Sequence, residues 1–393
     1  MIKCNKQIKD GGFTMKVVIA IDSLKGSLTS LQAGEAIKEG IKKVDKETEV
    51  VIKPLADGGE GTVDALVDGM GGNMEFVKVT GPAEKEVLAK YGIIKETSTA
   101  IMEMSQAAGI TQVTDKERNP LYTTTYGVGQ MIVDAIHKGC RRFIMGIGGS
   151  ATNDGGVGML QALGYDFLDK DGNQIKHGAI GLKDLVQIKD DKVIQELKDC
   201  EFHIACDVTN PLCGEEGCSA IFGPQKGATQ QMVKDMDQWL ADYAKIAKQS
   251  FTKADADKPG TGAAGGLGFA FLTFTNAILK SGVDLILNET KLEEEIKDAD
   301  IVITGEGCLD AQTAMGKAPI GVAKLAKKYG KLVLGFSGAV TKGATACNEA
   351  GIDAYFPIVR SAVSLEDAMK KKNAQENLTD TVEQVFRLIK VLA

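Results

Sequence analysis

Short unbroken apolar runs alternate along this chain with stretches in which apolar residues recur every three or four positions. KVVIAI (16–21) reads as a strand buried on both faces, and 29–43 as a helix with Ser27 or Thr29 as its cap. A second strand at 49–53 and a short helix at 61–69 follow. The same alternation returns near the far end, with strands at 301–304, 332–336 and 354–359 and a helix at 320–329. Strands alternating with helices predict a parallel sheet covered on both faces. The middle differs: 75–79, 87–94 and 100–103 read as successive strands separated by Gly/Pro turns. A strand at 141–145, a glycine-rich turn and a helix around 156–163 come next. The expected class is α/β with two domains. One is a Rossmann-like parallel-sheet domain built from both chain ends (15–75 and 295–393); the other is an inserted mixed α/β domain (76–294). An active-site cleft is expected between them, because the chain crosses twice.

Residues 1–14, MIKCNKQIKDGGFT, are polar and aperiodic and precede Met15, where the first strand begins. The Gly11-Gly12 pair can be encoded as GGA-GGN, which contains a purine-rich ribosome-binding sequence just ahead of the Met15 codon. The expectation is that Met15 is the natural start and 1–14 a leader; a short disordered tail is the alternative.

Composition narrows the function. The chain has 393 residues, 44% of them hydrophobic, enough for a large core without staples. With 46 Lys+Arg against 53 Asp+Glu its formal charge is −7, which argues against nucleic acid or an anionic membrane as the main partner. No apolar run reaches the roughly 20 residues of a membrane span, and the N-terminus lacks a secretory pattern. A cytoplasmic enzyme is expected. Eight cysteines (4, 140, 200, 206, 213, 218, 308 and 347) and three histidines are present. Cys206, Cys213 and Cys218 lie close together, but their spacing is not that of a zinc site, so reduced, partly buried thiols are expected. Glycine is abundant, 46 residues against an ordinary usage of about 7%. Such a chain brings backbone close to something.

The glycines cluster with acids, lysines and hydroxyls in segments that follow strands. Asp22-Ser-Leu-Lys-Gly-Ser27 leaves the first strand at the edge where parallel sheets bind ligands. There Lys25 can neutralise a phosphate or carboxylate and Ser27 can hydrogen-bond, although a helix cap with a surface lysine explains the same residues. In Ala56-Asp-Gly-Gly-Glu-Gly-Thr62, Asp57 and Glu60 are close enough to repel unless a cation lies between them, and Mg²⁺ takes such ligands. The plainer reading is a turn in which Asp57 caps the next helix. Gly146-Ile-Gly-Gly-Ser-Ala-Thr-Asn-Asp-Gly-Gly156 can cradle an anion on its amides. It also fits a dinucleotide fingerprint loosely, with Asp166 and Asp169 near the required distance. Ser150, Thr152, Asn153 and Asp154 in the turn suit a reacting phosphoryl group better. In 304–317, Glu306, Asp310 and Lys317 can serve metal, base or phosphate roles. Lys226 tips the turn 222–227, and Gly260–Gly268 is a literal G-x-G-x-x-G that follows no strand. Walker, protein-kinase, hydrolase and H-E-x-x-H motifs are absent. Glycine loops with carboxylates and lysines are the inventory for phosphoryl transfer by positioning and charge.

Eight blocks carry a resemblance: IDSLKGSL (21–28), PLADGGEGT (54–62), GGSATNDGG (148–156), ACDVTNPLCG (205–214), FGPQKGAT (222–229), GTGAAGGLG (260–268), ITGEGCLDAQT (303–313) and GKAPIGVA (316–323). In this order, over about 15–340, they resemble the bacterial glycerate kinase family. The resemblance implies ATP-dependent phosphorylation of D-glycerate to 2-phosphoglycerate and a two-domain α/β fold. Two positions depart from the family pattern. Leu24 stands where phenylalanine is usual, and Cys308 where arginine is common, so an arginine-clamp role cannot be carried onto this chain. Lys25, Lys226 and Lys317 are the candidate replacement cations.

With that resemblance, Mg²⁺ is expected on Asp57 and Glu60, with Glu306. ATP phosphates are expected on Gly148, Gly149 and Ser150, on Gly265 and Gly266, and at Lys317. Asp154 or Asp207 is the expected proton acceptor, and Lys25 and Lys226 the neutralising cations. Asp22, Ser27 and Asn210 are expected at the substrate. The alternatives are a 3-phosphoglycerate product, an NAD-dependent oxidoreductase of a small hydroxy acid, and a non-catalytic glycerate or nucleotide sensor. The number of adjacent carboxylates argues against the sensor. The expected partners are D-glycerate and ATP, with a homodimer left open.

Overall fold

A computed structural model describes residues 15–56, 58–59 and 61–392. The chain forms two compact units. One takes residues up to 57, Asp64–Met70 and Val283–Ala393, and the other Gly58–Val63 and Gly71–Gly282. The units divide at 70/71 and 282/283, before the expected 75/76 and 294/295 boundaries, and 58–63 goes with the second unit rather than the first. Residues 1–14, expected as a leader or a disordered tail, lie outside the described residues. In chain order the strands are β1 (Lys16–Ile19), β2 (Glu49–Ile52), β3 (Asn73–Thr80), β4 (Glu86–Ile94), β5 (Thr99–Glu103), β6 (Arg142–Gly146), β7 (Asp166–Leu168), β8 (Gln187–Lys189), β9 (Glu201–Ala205), β10 (Ala277–Lys280), β11 (Ile301–Leu309), β12 (Leu332–Val340) and β13 (Ala354–Pro357).

The first unit holds a five-stranded sheet in the order β13-β12-β11-β1-β2, parallel throughout. Its central strands read as continuous apolar runs because helices cover both faces. Val17, Ile19, Ile301 and Ile303 are buried accordingly. The helix Ser30–Val44 starts where expected: Thr29 accepts from the Gln32 amide, and the Gln32 side chain accepts from the Thr29 amide. Its buried stripe, Ala33, Ala36, Ile37 and Ile41, packs with Leu378, Val382 and Phe386 of the C-terminal helix Lys371–Leu392. The two helices approach so closely at Gly40 that a Cβ there would meet the Thr379 carbonyl oxygen at 2.5 Å.

The second unit carries a mixed six-stranded sheet, β10-β9-β6-β5-β4-β3. The strands β10, β9, β6 and β5 run parallel, while β4 and β3 are added antiparallel. The hairpin pair β7-β8 stands apart. Phe143 and Phe202, on adjacent parallel strands, stack at 4.7 Å between centroids in the core. The helix Gln230–Ser250 covers this core with Met236, Leu240, Tyr243 and Ala247. Among the described residues no helix is long and apolar enough to cross a membrane. The seven described cysteines are free thiols.

Candidate active site

In the first unit, β1, β11 and β12 deliver their carboxyl ends to one crevice of about 430 Å³. This is the edge at which open parallel sheets bind ligands. Its polar lining includes Asp22, Lys25, Ser27, Glu306, Asp310 and Lys317. After β1 the chain makes a tight reversal. The Leu24 amide donates to the Leu28 carbonyl at 2.9 Å, and the Ser27 amide and hydroxyl both donate to the Leu24 carbonyl at 2.8 Å. Gly26, at φ +82°, permits the turn, and the buried Leu24 and Leu28 anchor its base. Lys25 is left exposed at the tip. Asp22 is buried, its amide donating to the Gly305 carbonyl and its carboxylate accepting from the Ser23 amide at 2.6 Å. The Ser27 hydroxyl proton is therefore used within the turn, which leaves its oxygen to accept.

Strand β11 runs further than its apolar core, through Leu309, because β12 pairs with it along its length. The extension places Glu306 and Cys308 at the crevice. Asp310 then caps the short helix Ala311–Ala314, accepting from the Thr313 amide at 2.8 Å, while the Thr313 hydroxyl donates to Glu306 at 2.6 Å. Lys317 Nζ lies 4.0 Å from Glu306 and 3.8 Å from Asp310. The two carboxyls differ in acidity. Burial pushes Glu306 above its ordinary value, against the opposing pull of Thr313 and Lys317. Asp310 is held below the usual range, first by the Thr313 amide and also by Lys317. The Cys308 thiol is pushed up by burial and by Asp310 and Glu306, so it stays neutral and supplies no cation to the crevice.

The second unit holds the other glycine loops, and here the geometry separates two functions that the motif runs together. In 147–156 only Gly148 and Gly149 are exposed; Ser150 through Asp154 are buried. The Gly149 carbonyl accepts from Ile110 at 2.8 Å and the Ala151 amide donates to Ala108, fixing the turn to the neighbouring chain. A helix does not open at once: Val157–Ala162 begins only after Gly155 and Gly156, both left-handed, which removes the geometry of a dinucleotide fingerprint.

Asp154, one of the two expected proton acceptors, sits inside this loop. It is buried and accepts from the Thr125 amide and hydroxyl at 2.8 Å, from Gly156 at 3.1 Å and from Gly158 at 3.3 Å. A carboxylate so enclosed organises the loop. Lys226 is one of the expected neutralising cations. It is also buried, with Nζ donating to the Thr152 carbonyl at 2.6 Å rather than facing a phosphate. Gly265 and Gly266 are expected at the ATP phosphates. They lie within the kinked helix Ala263–Phe274 at φ +67° and +94°. A Cβ on Gly265 would meet the Thr152 carbonyl oxygen at 2.1 Å, and one on Gly266 the Gly155 Cα at 2.7 Å. Both glycines are buried against neighbouring backbone.

Asp207 follows β9, is exposed, and accepts from the Gly282 amide at 2.9 Å through one oxygen. Asn210 donates to the Glu216 carbonyl at 2.8 Å, and its own carbonyl accepts from Gly262. Asp57 and Glu60, the expected Mg²⁺ ligands, lie outside the described residues. Among the described residues no three His, Cys, Asp or Glu side chains converge as a metal site. Glu306 and Asp310 fit the lesser demand of Mg²⁺ that arrives on a nucleotide, which takes one or two carboxylates. The apolar half of the crevice escaped the sequence reading. It comes from the chain after β13 and from the C-terminal helix, whose Ala374-Leu378-Val382-Phe386 spacing was a legible helix signal.

Known proteins of the same length and fold resemble this chain. Residues 17–390 match the model of the glycerate kinase family. A glycerate kinase of Halalkalibacterium halodurans is 45% identical over 96% of this chain and 98% of its own. The glycerate 2-kinase of Escherichia coli K12 is 44% identical over 91% of this chain and 93% of its own. A crystal structure from Salmonella typhimurium LT2, of a protein assigned as glycerate kinase 2, superposes with a TM-score of 0.89 at 44% identity, covering 96% of this chain and 99% of that one. The chain belongs to the glycerate kinase family.

Proposed function

We propose that this protein transfers the γ-phosphoryl group of MgATP to the 2-hydroxyl of D-glycerate, giving 2-phosphoglycerate and ADP in the cytoplasm. The observation that carries the reading is the similarity to the E. coli glycerate 2-kinase over nearly the full length of both chains. The acid, lysine and glycine loops at strand ends are the equipment such a transfer needs, because phosphoryl transfer is catalysed mainly by positioning and charge.

In this reading Lys25 and Lys317 neutralise phosphate charge, and Glu306 and Asp310 are available to the Mg²⁺ that travels with the nucleotide. Bound there with the nucleotide, Mg²⁺ would supply positive charge to offset what develops on the phosphates. The exposed Gly148-Gly149 turn is suited to a carboxylate or phosphate oxygen, having no side chains in the way. Of the two expected proton acceptors we take Asp207, an exposed carboxylate that accepts from the Gly282 amide. The hydroxyl proton passes to Asp207, the hydroxyl oxygen forms its bond to γ-phosphorus, and the bond from γ-phosphorus to the β-bridging oxygen breaks, releasing ADP.

The test is a ³¹P NMR spectrum of the purified protein with MgATP and D-glycerate. A 2-phosphoglycerate resonance growing with ADP is expected. A 3-phosphoglycerate resonance keeps the reaction class and overturns the choice of hydroxyl, and unchanged ATP beside an active control enzyme overturns the kinase reading.

A further inference from the structure

We infer that the crevice at the carboxyl edge of the five-stranded sheet is the nucleotide site, with adenosine against its apolar wall and the phosphate tail toward Lys25 and Lys317. The inference rests on the phosphoryl-transfer reading above and adds where, within this one unit, the nucleotide lies.

The crevice has two chemically different halves. Lys25, Lys317 and the acids between them form one. The other is a wall of Ile358, Val359, Leu365, Met369 and Ala374, with the Asn377 amide beside it. Each carbon of glycerate bears oxygen, so glycerate has no face that gains from burial against aliphatic groups. The base and ribose of ATP do, because removing apolar area from water is favourable. A pocket of about 430 Å³ also falls in the range of roughly 300–1,000 Å³ that suits ligands of nucleotide size.

The wall is incompletely covered as it stands. Leu365 is 75% exposed and Val359 38%, and both line the mouth of the crevice, where a ligand would cover them. Met369 reaches over the Leu24–Leu28 turn so closely that a Cβ on Gly26 would meet its Cε at 2.3 Å. A methionine there can re-pack around a flat ligand, having three rotatable bonds and no branch. Asn377, whose Oδ1 accepts from Arg360 Nε at 3.1 Å, supplies a held amide of the kind that pairs with the edge of adenine. The phosphate end follows from the turn itself: a Cβ on Gly307 would lie 3.4 Å from the Lys25 amide, so the Lys25 turn and β11 form one rim.

The experiment is photolabelling of the full chain with 8-azido-ATP and Mg²⁺, followed by peptide mapping, with ADP release from ATP and glycerate measured on the same preparation. Label protected by excess ATP and mapping within 355–377 is the expected result. A protein that releases ADP but carries no ATP-protected label in 355–377, with label at 147–156 or 258–268 instead, overturns the site and leaves the kinase reading intact. Failure of both ADP release and protected labelling overturns both. As a second measurement, Val359→Ser and Leu365→Ser together should raise KM for ATP about tenfold while leaving KM for glycerate within about twofold. An equal rise in both constants overturns the assignment.

Discussion

Lys226 Nζ donates to the carbonyl oxygen of Thr152 at 2.6 Å, with both residues buried inside the second unit. Burial pushes the lysine down to about 8, while Cys218 and Asp154 act in the opposite direction. The lysine is thus a strut under the glycine loop. In the unfolded chain it titrates near 10.5, so between pH 8 and 10.5 the unfolded state binds more protons and stability rises with pH. Relative to Lys226→Met, the wild-type protein should gain up to about 3 kcal/mol across that window. Thermal unfolding of both proteins from pH 7 to 10.5 checks this; parallel curves would show that Lys226 does not titrate there.

Asp154 and Asp207 should separate fold from chemistry. Asp154→Asn turns an amide NH₂ toward several donors and should cost about 1–3 kcal/mol of stability, with any activity loss following the loss of folded protein. Asp207→Asn should keep its unfolding midpoint and lose about 10²–10⁴ in kcat. Steady-state kinetics beside denaturant titration decides; near-normal turnover in Asp207→Asn removes it as the proton acceptor.

Two glycines of similar motif context should behave oppositely. Gly265→Ala meets the Thr152 carbonyl at 2.1 Å in a left-handed conformation and should destabilise by about 3 kcal/mol or more. Gly148→Ala has open space around the new methyl and should stay within about 0.5 kcal/mol of wild type, while raising KM for a substrate. Urea midpoints and KM values for both substrates test the contrast.

The Glu306–Lys317 pair predicts a pH signature. Glu306 acts ionised in the proposed reaction, so activity is present above its raised pKa and lost as pH falls through it. Lys317 lowers that pKa; Lys317→Met should therefore move the acid limb of kcat/KM to higher pH and reduce kcat by about 10². Glu306→Gln should abolish that limb. An unmoved acid limb in Lys317→Met would exclude Glu306 as its origin.

Much of the fold was legible because it is written locally. KVVIAI is too continuously apolar for anything but a doubly covered strand, and Thr29 with Gln32 forms a complete capping box; both stand where their spacing placed them. The C-terminal helix carried its signal at Ala374, Leu378, Val382 and Phe386, yet its partner Ser30–Val44 lies more than three hundred residues earlier in the chain, beyond any local window.

The blocks from IDSLKGSL to GKAPIGVA were sufficient, as a sequence, to identify the family, because eight ordered motifs record chemistry independently of coordinates. They were not sufficient to assign roles. Asp154, Lys226 and Gly265 carry the same residue types a phosphate site uses, and a sequence lists side chains without saying which face solvent. Tertiary packing decided that: a carboxylate enclosed by amides and a lysine spent on a carbonyl serve the loop, while Lys25 and Lys317 remain at the crevice. Burial determines whether a charge can meet a ligand, and burial is a property of neighbours distant in sequence.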